Sequence, residues 1–153
     1  MSANYDQIYT DVQKLIGQYK TRSPRDILEG RGVFLIPFES PTKLLGMYKI
    51  IKRNRFVFYN PYVDDRIINM VLAHELGHDL YHKEQVKLGS AEYELFNINT
   101  EMEIEANIFA AHLLLDEKSL IEDIREGYTY NQLASLYAVS YTHLRAHETK
   151  ANL

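Results

Sequence analysis

Apolar residues first recur at helical spacing at Tyr5, Ile8, Val12, Leu15, Ile16 and Tyr19, which predicts an amphipathic helix over residues 5–20. Ser23 before Pro24, with Asp26 in the next turn, is a helix start signal. Gly30 and Gly32 end that short helix before the apolar run Val33 to Phe38, a predicted strand. Leu44 to Ile51 and Phe56 to Tyr59 are rich in aromatic and β-branched residues, and with Lys52-Arg53-Asn54-Arg55 as a turn they predict a β-hairpin. After Asn60-Pro61, Asp64 or Asp65 caps a helix with the stripe Ile67, Ile68, Val71, Leu72 and Leu76, which continues through about Tyr81. Residues 83–99 lack periodicity and contain Gly89-Ser90, so they are expected to form a loop. Helical character returns from Glu101 to Leu115, and shorter helices are expected near 117–126 and 129–138. Helices, a small sheet and more helices, without internal repeat, predict an α+β fold.

Composition narrows the chemistry. A chain of 153 residues, 46% hydrophobic and 25% charged, can bury one ordinary globular core. The net charge of -4 gives no basic footprint, so no direct nucleic acid contact is expected. Cysteine is absent, which leaves His, Asp and Glu as the side chains able to bind a metal strongly. The N-terminus is polar and acidic and no apolar run has the length of a membrane span, so the expected location is cytoplasmic, without membrane contact.

The residues His74-Glu75-Leu76-Gly77-His78 fall within the helix predicted to end near Tyr81. Two imidazoles at i and i+4 lie one turn apart on one face, where both can reach a single Zn2+ ion. Glu75 sits about 100° away round the helix. From there its carboxylate reaches a water activated by the metal, the position required of a general base. The bland alternative is a helix that carries His and Glu by chance, and the apolar face of this helix speaks against it. A catalytic zinc takes three protein ligands and keeps one position open, so a third ligand must lie elsewhere. Residues 79–88 contain no further histidine at metzincin spacing, which directs attention to the acidic start of the next long helix. Glu101, Glu103 and Glu105 compete there. Small residues after Glu105 permit close helix packing, and Glu101 shares the face of Glu105 while Glu103 points elsewhere, so spacing favours Glu105 over Glu101 only slightly.

HELGH followed by EIEANIFAAHLLL, with a short sheet before and small helices after, resembles the ImmA/IrrE family of bacterial and phage metallopeptidases across residues 5–138. The resemblance implies a gluzincin-like, zincin-type core, zinc held by His74, His78 and Glu105, and Glu75 as the catalytic base. It also implies a cytoplasmic endopeptidase that cleaves a helix-turn-helix repressor of a prophage, mobile element or stress regulon. Asp116 departs from the family pattern, in which proline often follows the leucine run. The alternative is a non-proteolytic anti-repressor or antitoxin-linked module on the same scaffold, which the intact Glu75 disfavours. A general peptide-scavenging protease fits the motif but not the resemblance.

Other residues are weighed by their spacing. His82, one turn beyond His78, would overfill the metal site and is expected to be structural. His112, seven residues past Glu105, is either an oxyanion-stabilising residue or a packing histidine. Asp79 and Asn107 either orient the ligand imidazoles or lie on helix surfaces. Phe56 to Tyr59 is the expected sheet edge for an extended substrate. Residues 139–149 resemble one reading frame of a sequencing adapter, so the chain divides into a truncated metallopeptidase domain over 1–138 and a non-native tail over 139–153. Tyr130 to Ser140 resembles the opening of a helix-turn-helix cut short by that tail.

Overall fold

The computed structural model describes residues 5–87, 91–93 and 101–115. Within these, α1 spans Tyr5–Tyr19, α2 Pro24–Gly30, β1 Phe34–Pro37, β2 Gly46–Ile51 and β3 Asn54–Tyr59. They are followed by α3 Asp65–Tyr81, α4 Lys83–Lys87, β4 Ala91–Tyr93 and α5 Glu101–Leu114. The fold is α+β: helices pack on one face of a small sheet, in keeping with a zincin-like core. The helices expected near 117–126 and 129–138, the helix-turn-helix resemblance and the tail from 139 lie outside the described residues.

Local chemistry places most boundaries. Ser23 Oγ accepts from Asp26 N–H at 3.2 Å and Pro24 opens α2, where its missing N–H costs nothing. Asp64 Oδ1 accepts from Arg66 N–H at 2.8 Å and fixes the start of α3. The hairpin turn is tighter than the four residues expected. Only Lys52 and Arg53 lie between the strands, at φ 50° and 68°. Such turns normally announce themselves with Asn-Gly, so Lys-Arg gives no sequence signal.

The sheet order is β1-β3-β2-β4, with β1 parallel to β3 and the other pairings antiparallel. This corrects the expectation that Phe56–Tyr59 is an edge. β3 is bonded on both sides, because the chain leaves β1, forms β2 one position away and returns through β3 between them. The region 83–99, expected to be loop, contributes α4 and the edge strand β4. Three residues are too few to show alternation, and their partner strand is distant in sequence. Alternation along β2 and β3 sends Tyr48 and Val57 into the core, with Leu72, Leu76, Ile108 and Phe109 from the helices. The opposite face carries a stack of Phe34, Phe56 and Phe58.

Two glycines set how closely the elements approach α3. A Cβ on Gly46 of β2 would collide with Val71 and meet Glu75 Cγ at 3.8 Å, so β2 lies directly over the start of the HEXXH segment. A Cβ on Gly77 would meet Ala106 Cα at 3.1 Å and Phe109 Cδ1 at 3.3 Å. The α3–α5 contact therefore requires a residue without a side chain. Gly77→Val is expected to destabilise the metal-stripped protein by about 1–3 kcal/mol through overpacking. Urea unfolding checks this, and an unchanged midpoint would show that the helices separate without cost.

Candidate metal centre

Met70 through Asp79 are all buried, so the middle of α3 is enclosed on every side. Polar groups in such a segment need partners, since an unsatisfied one costs about 1–3 kcal/mol. His74, Glu75, His78 and Asp79 find them in different ways.

His74 Nε2 and His78 Nε2 converge to 3.1 Å, as expected for i and i+4 on one face. Glu103 of α5 closes the group, with Oε2 2.7 Å from His74 Nε2 and Oε1 3.2 Å from His78 Nε2. One ligand atom from each of the three lies within 4.8 Å of the others. Glu105, expected to be the third ligand, is not in this group. Its Oε1 meets His82 Nε2 at 2.9 Å. The reason is helical phase. Gly77 against Ala106 fixes the rotation of α5, and Glu103 and Asn107, four residues apart, then face the imidazole pair. Glu105 is about 200° round the helix from Glu103 and cannot share that direction. The signal available in the sequence was the Glu103/Asn107 pair itself, one acidic ligand and one amide on a common face.

The outer partners are specific. His74 Nδ1 meets Asn107 Oδ1 at 2.8 Å, and an amide oxygen only accepts, so His74 carries a proton on Nδ1, and Nε2, the nitrogen that faces Glu103, is the one that would offer a lone pair to a metal. Asn107 is thus one of the orienting groups considered from sequence. Asp79 is not. It accepts from Arg31 Nε and Arg55 Nη1, each at 2.8 Å, and from the Tyr48 hydroxyl, which ties α3 to the α2–β1 connection and to the sheet. His82 is buried between His78 and Glu105. His112 packs edge-on against Tyr9 with ring centroids 5.2 Å apart, and it lies nine residues, or half a turn, from the Glu103 direction.

Electrostatics separate the two carboxylates. Glu75 is buried, neither oxygen has a hydrogen-bond partner, and Oε1 lies 3.9 Å from His74 Nε2. Burial, reinforced by the nearby Glu103 charge, pushes its pKa well above the ordinary carboxylate range. Burial also acts to raise Glu103. Hydrogen bonds from His74 and His78, with their charge, outweigh that effect and hold Glu103 down at about 2. Burial pushes His78 and His82 below the usual imidazole range, which favours neutral rings able to offer a lone pair.

These observations test the fit of a metal. Two imidazoles and one carboxylate converge, a second carboxylate stands beside them without a hydrogen-bond partner, and the guanidinium groups of Arg31 and Arg55 are bound to Asp79. A divalent cation supplies the charge this cluster lacks, and two nitrogens with one oxygen suit zinc. The residues present fit the ion. It would be held by His74, His78 and Glu103.

A family model described as the IrrE N-terminal-like domain, Peptidase_M78, matches residues 29–147. The matched stretch takes in every residue of this cluster and continues past residue 138, into the segment set apart from sequence as a tail. The chain is also similar to "Uncharacterized immunity region protein 2" of Bacillus phage phi105, with 30% identity over 135 residues, covering 88% of this chain and 85% of the relative. Among the described residues, no helix is long and apolar enough to cross a membrane.

Proposed function

We propose, since the chain belongs to the Peptidase_M78 family of IrrE N-terminal-like domains, that it is a zinc endopeptidase in which His74, His78 and Glu103 hold the metal and Glu75 moves the proton. The observation that carries this reading is the convergence of three ligand atoms beside a buried, partnerless Glu75 carboxylate. Zinc bound there supplies the charge that polarises a peptide carbonyl and lowers the pKa of a water toward about 7. Glu75 accepts the proton of the attacking water and passes it to the amine nitrogen as the C–N bond breaks. Its burial suits it to both steps, because the protonated carboxyl is not penalised there.

Among the described residues, β4 offers an open sheet edge beside this centre. Its Tyr93 pairs with Gly46, the residue that lies over Glu75. An extended substrate segment adding to that edge would present its backbone to the site, with selectivity set by the side chains it places there.

The substrate we propose is a helix-turn-helix repressor of a mobile element or stress regulon. The similarity to a phage protein named for an immunity region supports this class. The test is to incubate the zinc-loaded chain with the repressor encoded beside its gene and with unrelated unfolded proteins. Cleavage of the repressor at one or a few sites is expected, with none by Glu75→Gln. Release of the repressor from its operator by Glu75→Gln without cleavage would point instead to a binding module. Degradation of every unfolded protein, with the repressor spared, would point to a scavenging protease.

A further inference from the structure

We propose that His82 and Glu105 form a hydrogen-bond relay that fixes the tautomer and ring orientation of His78, and thereby sets the metal affinity of the site. The inference rests on the reading of His74, His78 and Glu103 as a metal centre. It assigns a positioning role to two residues that touch neither the metal position nor the substrate.

The geometry runs outward from the ligand. His78 Nδ1 lies 2.8 Å from His82 Nδ1, and His82 Nε2 lies 2.9 Å from Glu105 Oε1. An ionised carboxylate accepts hydrogen bonds and does not donate, so the proton of neutral His82 belongs on Nε2. Its Nδ1 then has only a lone pair, and the proton between the two rings must come from His78 Nδ1. This leaves His78 Nε2, the nitrogen that faces Glu103 and His74, as the one that would offer its lone pair to a metal. The opposite assignment turns the His82 Nε2 lone pair toward the Glu105 carboxylate and places a proton where the metal should bind.

Burial makes the assignment consequential. The side chains of His82 and Glu105 are only 3% and 4% exposed, so water is a poor substitute for either partner. His82 ends α3, and its backbone N–H bonds to His78 O at 2.9 Å, which holds the two rings one turn apart. The two ligands are thus supported differently. His74 leans on a neutral amide at Asn107, whereas His78 is backed, through a second imidazole, by a full carboxylate. A negative charge behind the chain of rings makes His78 Nε2 the more strongly electron-donating of the pair. The same arrangement accounts for why α5 spends a buried glutamate at 105 away from the ligand group.

Zinc affinity of the metal-stripped full chain, measured against a chromophoric chelator with urea unfolding in parallel, tests the relay. His82→Phe keeps the ring volume but removes the acceptor, and its dissociation constant is expected to rise about 10–100-fold. His82→Asn places an amide oxygen where Nδ1 was and is expected to recover most of the affinity. Glu105→Leu is expected to weaken binding by a smaller factor, and Glu105→Gln, whose amide oxygen still accepts from His82, to restore it. Because the two residues act through one chain, His82→Phe with Glu105→Leu should bind no more weakly than His82→Phe alone. Wild-type affinity in His82→Phe, or losses that multiply in the double variant, would overturn the relay while leaving the metal site standing. Should His82→Phe fail to fold, the Glu105 pair decides: equal affinity of Glu105→Leu and wild type overturns it, and a loss rescued by Glu105→Gln sustains it. A wild-type chain that takes no zinc would overturn the metal reading itself, and the relay with it.

Discussion

Glu75→Gln is expected to lower kcat by about 10²–10⁴-fold while the chain still takes up one zinc, because an amide keeps the shape of the carboxyl but cannot accept the proton of water. The same substitution should have a second effect on the metal-stripped protein. Glu75 has a folded-state pKa raised above its ordinary value of 4.5 by burial and then by Glu103. The stability linked to its proton is therefore fully present below 4.5 and is lost as pH rises through the raised folded-state value. Above that window the fold holds two buried negative charges together. Glu75→Gln removes one of them, so the stripped variant should melt at a higher temperature than stripped wild type at neutral pH and at the same temperature in acid. Calorimetry at several pH values reads this directly. A variant that retains turnover, or that melts lower at neutral pH, would remove Glu75 from its assigned place.

Glu103→Gln is expected to weaken zinc binding by more than about 100-fold, beyond the upper end of what losing a supporting hydrogen bond does. Glu103 is the carboxylate that bridges both imidazoles, at 2.7 and 3.2 Å, and its charge is kept on at nearly all pH values by those same contacts. Its stability contribution has the opposite sign to that of Glu75: present above the ordinary value of 4.5 and lost as pH falls toward about 2. Glu105→Gln supplies the contrast, since it lies outside the ligand group and keeps an acceptor for His82. Retention of tight zinc by Glu103→Gln together with its loss in Glu105→Gln would reverse the assignment of the two glutamates.

Much of this was legible along the chain. The HEXXH pattern put His74, Glu75 and His78 on one helix, and the caps at Ser23 and Asp64 marked where helices begin. Local rules act within a few residues, so local sequence carries them. What escaped was set by contacts between distant segments. β4 exists because Gly46–Tyr48 offers an unfilled edge, a fact about β2 rather than about residues 91–93. Phe56–Tyr59 is a central strand because it returns from β2 to lie parallel to β1. Which of Glu103 and Glu105 faces the imidazole pair depends on the rotation of α5, which is fixed by the close approach of Gly77 to Ala106 across two helices. Residue spacing alone placed Glu101 and Glu105 on one face but did not say which face meets α3.

The most direct test is anomalous diffraction at the zinc absorption edge from crystals of the zinc-loaded chain. The expected result is one peak per chain, about 2.0–2.2 Å from His74 Nε2, His78 Nε2 and a carboxylate oxygen of Glu103. A peak bound instead by Glu105 or His82, or none at the imidazole pair in a chain that carries zinc, would contradict it.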